Sequence, residues 1–354
     1  MTPEVTFVGT ATTVLRIGGF TLLTDPNFLH RGQRAYLGRG LWSKRSTDPA
    51  LTIPELPPLD AVVLSHLHGD HFDRVARRGL DRSLPILTTP QAERKLRRWG
   101  FGAAEGLPTW RAYELHRGDE TLRLTALPGQ HGPGLLDRAL PDVMGSLIDL
   151  EQGGQRRFRL YVTGDTLRRP QLAEIPARFP DIDAMLIHLG GTRIAGILLT
   201  MDARQGADVV ELIRPSLTVP IHYDDYPVFR SPLRHFVEEA RRRGFAGQVR
   251  TVLRGETVPL PPCPGCAAPP APPGGGRGSG GPVRPARRSP RSGHRPAGPA
   301  ATGPRRRLPR CRRVRARRSP AAAVPCAVPS SAGSRPRRRR RRWSPPRPVP
   351  VHRR

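Results

Sequence analysis

A short apolar run, Ala61-Val-Val-Leu-Ser65, leads directly into His66-Leu-His68-Gly-Asp70-His71. A continuous apolar run of this length reads as a buried strand. Four potential ligands in six residues at the end of such a strand are costly unless something binds them. His66 and His68, two apart, can project to one side and share a metal ion. The turn at Gly69 swings Asp70 and His71 towards a second. Imidazole and carboxylate donors suit Zn(II), Mn(II) or Fe(II), and the absence of thiolates argues against a soft-metal or cysteine-type structural site. A solvated histidine-rich turn would account for one histidine, but not for this spacing behind a strand.

Charge divides the chain. Its 354 residues carry 59 Lys+Arg against 29 Asp+Glu, a formal charge of +30, which taken whole suggests a nucleic-acid binder. Residues 261–354 hold 25 arginines and no acid, so the first 260 carry only +5, the balance of an ordinary domain. We therefore expect a globular region over 1–260, long enough to bury a full core. Arg, Pro, Ala and Gly make up 71 of the 94 residues of the tail, which cannot offset the entropy of ordering and is expected to be disordered. These residues have GC-rich codons, and the domain itself prefers Arg to Lys by 32 to 2, so a frameshift or read-through origin is expected for the tail. No run of 18 apolar residues is present, and the N-terminus lacks a basic n-region and an apolar h-region. All four cysteines lie beyond residue 260, so disulfides are not expected to hold the domain and cytoplasmic residence is the default.

Many short strands and few helices are expected. Val5–Val8, Thr12–Ile17 and Phe20–Thr24 are β-rich runs, Thr121–Leu127 alternates at period two, and Val143–Leu150 and Phe158–Thr163 flank a Gly153-Gly154 hairpin turn. Pro90–Trp99, Asp202–Arg214 and Ser231–Arg243 read as helices, with Asp183–Leu189 and Leu217–His222 as strands around the second. Val249–Val258 reads as a closing strand, and residues 26–58 as irregular. Two packed sheets with helices outside follow.

The His-x-His-x-Asp-His cluster resembles that of the metallo-β-lactamase superfamily, and further motifs appear in order. They are Thr24-Asp25-Pro26, Leu127-Pro-Gly-Gln-His131-Gly, Val162-Thr-Gly-Asp165-Thr and Pro220-Ile-His222-Tyr. The resemblance spans about residues 4–258 and none of the tail. It implies an α+β fold, the αββα four-layer sandwich. It also implies two divalent ions, zinc preferred and manganese or iron as alternatives. His66, His68 and His131 would hold one, Asp70, His71 and His222 the other, with Asp165 between them. Leu189-Gly-Gly191 and Thr200-Met201-Asp202 are similar to the L-ascorbate-6-phosphate lactonase-like branch, related to the phospholipase D that hydrolyses N-acyl-phosphatidylethanolamine. His188 departs from that branch, as a residue reaching metals or substrate, or as a hydrogen-bonded core histidine.

The implied activity is that of a metal-dependent hydrolase, in which a metal-bound hydroxide attacks an ester, lactone or phosphodiester of a small molecule or lipid head group. Asp70 would orient that hydroxide. Asp25 would support the ligands through hydrogen bonds, as would Asp224 and Asp225 beside His222, with a solvated acidic loop as the other reading of that pair. Arg193 is a candidate anion clamp, with a plain surface arginine as the other reading. Trp42, Trp99 and Trp110 read as core or cleft-lining residues. Nucleic-acid processing or binding through phosphate contacts of the arginine tail is the alternative function, although Asp165 and His222 are only 57 residues apart, which leaves no room for an inserted nuclease domain.

Overall fold

The computed structural model describes residues 2–38, 40–133 and 140–261. The segment from 262 onward, and with it the expectation of a disordered tail, lies outside the described residues.

In the first half, β1 (Glu4–Gly9), β2 (Thr12–Ile17) and β3 (Phe20–Thr24) form an antiparallel meander. A small hairpin of β4 (Arg34–Tyr36) and β5 (Trp42–Lys44) follows. Next come β6 (Ala61–Val63), α1 (Arg74–Gly79), β7 (Ile86–Thr88), α2 (Pro90–Arg98) and β8 (Ala104–Gly106), whose strands run parallel to β3. The second half opens with four antiparallel strands, β9 (Ala112–Arg117), β10 (Glu120–Pro128), β11 (Met144–Gln152) and β12 (Gln155–Val162). After α3 (Glu174–Arg178) comes β13 (Ala184–His188), then a short hairpin of β14 (Arg193–Ile194) and β15 (Ile197–Leu198). Then α4 (Ala203–Ile213) leads to β16 (Leu217–Ile221), α5 (Leu233–Arg243) and β17 (Thr257–Pro259). The two main sheets have the orders β17-β1-β2-β3-β6-β7-β8 and β16-β13-β12-β11-β10-β9.

Strand alternation sorts the core into layers, because successive side chains point to opposite faces of a sheet. Phe7, Leu22 and Val63 face Leu122, Ile148 and Leu186 in the cluster between the two sheets. Their neighbours Val8, Leu23 and Val62 turn outward onto Ala76 of α1 and Leu96 of α2. Met185 and Ile187 turn the other way, onto Val210 of α4 and Phe236 of α5. The result is the expected αββα four-layer sandwich. Local signals agree with it. Thr89 caps α2 by accepting from Ala92 N at 3.1 Å with Pro90 in the first helical position, and Asp202 caps α4 by accepting from Gln205 N at 3.1 Å.

Two expectations are corrected. The closing strand is confined to Thr257–Pro259, because the chain turns at Arg254-Gly255 and leaves Leu253 76% exposed, so Val249–Val258 cannot run as one ladder. Residues 26–58 are not wholly irregular, since β4 and β5 form within them. That hairpin is held by the rest of the molecule, as the Tyr36 carbonyl accepts from Gly69 N at 2.9 Å.

Candidate metal centre

The C-terminal ends of five strands deliver the polar residues to one place. Asp25 follows β3, His66 to His71 follow β6, Asp165 follows β12, His188 ends β13 and His222 follows β16. His131 arrives from the segment after β10. Asp25 and His222 adopt positive φ, +35° and +63°, a conformation that costs a non-glycine residue energy and persists only where neighbours enforce it. Here Asp25 N donates to Val63 O at 3.0 Å and His222 N to Thr10 O at 2.7 Å. Gly190 makes room for the same turn, since a Cβ there would lie 2.8 Å from the His222 carbonyl oxygen.

The side chains converge as three sets, each with ligand atoms within 4.8 Å of one another and all buried. They are His66, His68 and His131, then Asp70, His71, Asp165 and His222, and finally Asp25, His71 and His188. In the first set, His66 Nε2 and His68 Nδ1 lie 3.0 Å apart. In the second, Asp165 Oδ2 lies 3.2 Å from His71 Nε2, and Asp70 Oδ2 lies 3.5 Å from His222 Nε2.

Most of these imidazoles are oriented from behind by the protein. His131 Nδ1 donates to Leu199 O at 2.9 Å and His222 Nδ1 to Leu189 O at 3.1 Å. Ser65 Oγ lies 3.0 Å from His66 Nδ1, and Asp25 Oδ2 lies 3.1 Å from His71 Nδ1. Asp25 in turn accepts from Ser65 N at 2.7 Å. Such partners fix the tautomer and leave the Nε2 lone pair facing forward. On the forward side, His71 Nε2, His222 Nε2, Asp70 Oδ1 and Asp165 Oδ1 are buried without a hydrogen-bond partner. Buried donors and acceptors are rarely left unpaired. Nitrogen and oxygen atoms facing one another in this way fit divalent cations of the zinc, manganese or iron type.

The electrostatics differ between the sets. Burial, with the neighbouring His71 and His68, pushes the His66 imidazole well below its usual range, and burial with His131 holds His68 at about 3. Burial alone would also depress His71 and His222, but the Asp165 carboxylate, aided by Asp70, outweighs it and raises both. Burial would raise Asp25, yet His71 and His188 hold it at about 2.

Three expected residues stand apart from the cavity. His188 is fully buried behind the site, with Nε2 3.4 Å from Asp25 Oδ2 and its backbone N donating to Thr163 Oγ1 at 2.9 Å. It touches the ligands through Asp25 and does not line the cavity above them. Arg193 is exposed, pairs with Asp202 at 3.2 Å, and lines a groove of about 590 Å³ beside α5. Asp224 pairs with Arg254 at 2.6 Å near the surface, whereas the adjacent Asp225 is fully buried and accepts from Thr10 N, whose carbonyl holds His222 N. The sequence signal singled out the pair but could not tell which aspartate turns inward.

The cavity above the ligands is small, about 20 Å³, and bounded by His68, Asp70, His131 and Asp165 with the apolar side chains of Leu37, Leu41, Leu199 and Val228.

Known proteins resemble the chain in sequence and in fold. A metal-dependent hydrolase of Deinococcus radiodurans is 28% identical over 200 residues, covering 56% of this chain and 80% of its own. The N-acyl-phosphatidylethanolamine-hydrolyzing phospholipase D 1 of Caenorhabditis elegans is 26% identical over 238 residues, covering 63% of this chain and 64% of its own. The crystal structure of an isothiocyanate hydrolase from Delia radicum gut bacteria superposes with a TM-score of 0.62 at 20% identity, over 73% of this chain and 99% of that one. Residues 21–223, more than half of the chain, match the model of the beta-lactamase superfamily domain. The chain therefore belongs to the metallo-β-lactamase superfamily and is a metal-dependent hydrolase.

Proposed function

We propose that His66, His68 and His131 hold one divalent cation, that Asp70, His71 and His222 hold a second, and that Asp165 lies between them. At this centre the protein hydrolyses an ester, lactone or phosphodiester of a small molecule or lipid head group. The observation that carries this reading is the forward-facing set of buried ligand atoms without protein partners, backed by side chains that the protein does hold in place. Two such cations would supply Lewis acidity and lower the pKa of a water molecule towards neutrality.

The chain's own residues do the rest. Asp70 reaches the cavity with Oδ1 unpaired, where it can accept a proton from the attacking water and fix its direction. Asp25 and Ser65 fix His71, and His188 fixes Asp25. Leu37, Leu41, Leu199 and Val228 restrict water around the reacting group, which strengthens electrostatic interactions there. Zinc is preferred because three imidazoles make the donor set of a catalytic zinc site with an open position. The hydrolysis of N-acyl-phosphatidylethanolamine by the phospholipase D relative supports a phosphodiester within the substrate range.

The test is metal analysis of the purified protein beside the His131→Ala and Asp165→Ala variants, followed by turnover on a panel of lactones and phosphodiesters. Loss of metal and turnover together is the expected result. Full metal content with unchanged turnover in both variants would overturn the proposal.

A further inference from the structure

On the far side of His68 from the apolar cavity lies a second, open groove of about 230 Å³. The β4–β5 hairpin separates the two. Leu37 and Leu41 at its tip face the cavity above the ligands, while Tyr36 and Trp42 face the groove. Both hairpin aromatics are exposed, Tyr36 by 45% and Trp42 by 56%, and their rings lie 4.9 Å apart. Large aromatic side chains left in water beside a functional site mark a binding surface more often than they contribute to stability.

The groove is also cationic. Arg34, Arg77 and Lys95 line it, and among the described residues none of the three forms an ion pair with an acid. Arg77 stacks over the Trp99 ring at 4.2 Å, and the Lys95 ammonium stands 5.0 Å from the same ring. Elsewhere on this surface arginines are commonly paired, as Arg97 is with Glu93 and Arg117 with Asp60. The one acid that borders the groove, Asp73, is turned inward. Its carboxylate accepts from Phe28 N at 2.5 Å, Leu29 N at 2.6 Å, Val75 N at 2.7 Å and Ala76 N at 2.8 Å. At the inner end stands His68, 7% exposed, with Nε2 lacking any partner.

From this arrangement we infer that the groove is an anion subsite for a phosphate-bearing ligand whose apolar part lies against the exposed ring of Trp42. Arginine and lysine supply the charge-assisted hydrogen bonds a phosphate needs. The exposed Trp42 indole supplies a flat apolar wall, which a free inorganic ion would not use. Because His68 borders both spaces, a ligand here lies within one side chain of the metal centre. The inference rests on the groove itself, so it stands or falls independently of the hydrolase reading.

The probe is phenyl phosphate, with binding followed by calorimetry and by the fluorescence of the groove tryptophans in the full-length protein. The comparison is with the Arg77→Ala/Lys95→Ala double variant, whose substitutions are on the surface and whose metal content reports intact folding. We expect binding about tenfold weaker in the double variant, and weaker also in Trp42→Ala. Phosphate held at the metal centre is separated by Asp165→Ala, in which the groove's share of binding persists. Vesicles of phosphatidic acid in phosphatidylcholine form a second arm. Sedimentation with them, lost in the double variant, identifies a lipid head group as the source, and phenyl phosphate binding alone identifies a free phosphoester. Equal affinity for phenyl phosphate in the wild type and the double variant would overturn the inference.

Discussion

The Asn27 carboxamide donates to the Gly69 carbonyl at 2.8 Å, fastening the turn after β3 to the turn that carries Asp70 and His71. The other end of Asn27 is equally engaged. Its backbone oxygen accepts from Arg45 Nη1 at 2.9 Å, and its Oδ1 accepts from the same nitrogen and from Tyr226 Oη at 3.1 Å. Arg45 is 1% exposed and lies 3.9 Å from the buried Asp225, three residues past His222. One guanidinium thus joins two of the loops that form the site, and Asn27 carries the link to a third.

Arg45→Met should therefore be strongly destabilising, because it takes the donor from the Asn27 backbone oxygen and removes the buried charge that faces Asp225 in the interior. Removing one partner of a buried pair costs about 3–5 kcal/mol. Urea unfolding of the metal-loaded variant checks this, and a loss below about 1 kcal/mol would count against the network.

Asp25→Asn keeps the shape of the residue and removes the charge that holds His71. A metal ligand deprived of such a partner typically loses about 10–100-fold in metal affinity. Competition titration with a chromophoric chelator should show this loss in the ion bound by Asp70, His71 and His222, with the His66, His68 and His131 set less affected. His188→Gln, acting through Asp25, should give a smaller loss of the same kind.

Acidification should empty the two sets in order. His71 and His222 are raised from the usual imidazole value by the neighbouring carboxylates, so protons compete more strongly for their nitrogens and a cation must displace them. His66, His68 and His131 lie below that range, His68 at about 3, so protons compete with their cation only at lower pH. Dialysis stepped from about pH 8 to about pH 5 should release the ion of the carboxylate-rich set first. Simultaneous release of both ions would contradict the assignment.

Gly69→Ala tests the close approach of the hairpin to the histidine turn. A Cβ at residue 69 would lie 2.7 Å from Tyr36 N and 2.8 Å from Tyr36 O, both backbone atoms that cannot swing aside. Overpacking of this kind costs about 1–3 kcal/mol. Thermal unfolding should show it, together with a change in the fluorescence of Trp42 as the hairpin shifts.

Much of this architecture is legible in local pattern. Thr12–Ile17 and Phe20–Thr24 are strands at their expected bounds, and α2 begins at Pro90. Apolar alternation and capping residues report on neighbours close in sequence, which is why these elements can be read directly. The closing segment fails that test, because Val249 to Val258 is apolar enough for a strand while its path is set by the turn at Gly255 and by pairing with β1. The β4–β5 hairpin escapes for the converse reason, being held by Gly69 rather than by its own pattern.

The chain by itself determined the chemistry available. Six residues after one strand supply donors that suit only a hard or borderline cation, and their density fixes where an ion can bind. Tertiary structure decided which residues work together. It turned Asp225 inward and Asp224 outward, set His188 behind Asp25 instead of above the ligands, and sent Arg193 to Asp202. These choices depend on strand ends and loops far apart in sequence, whose meeting is fixed by the packing of two sheets and carries no local signature.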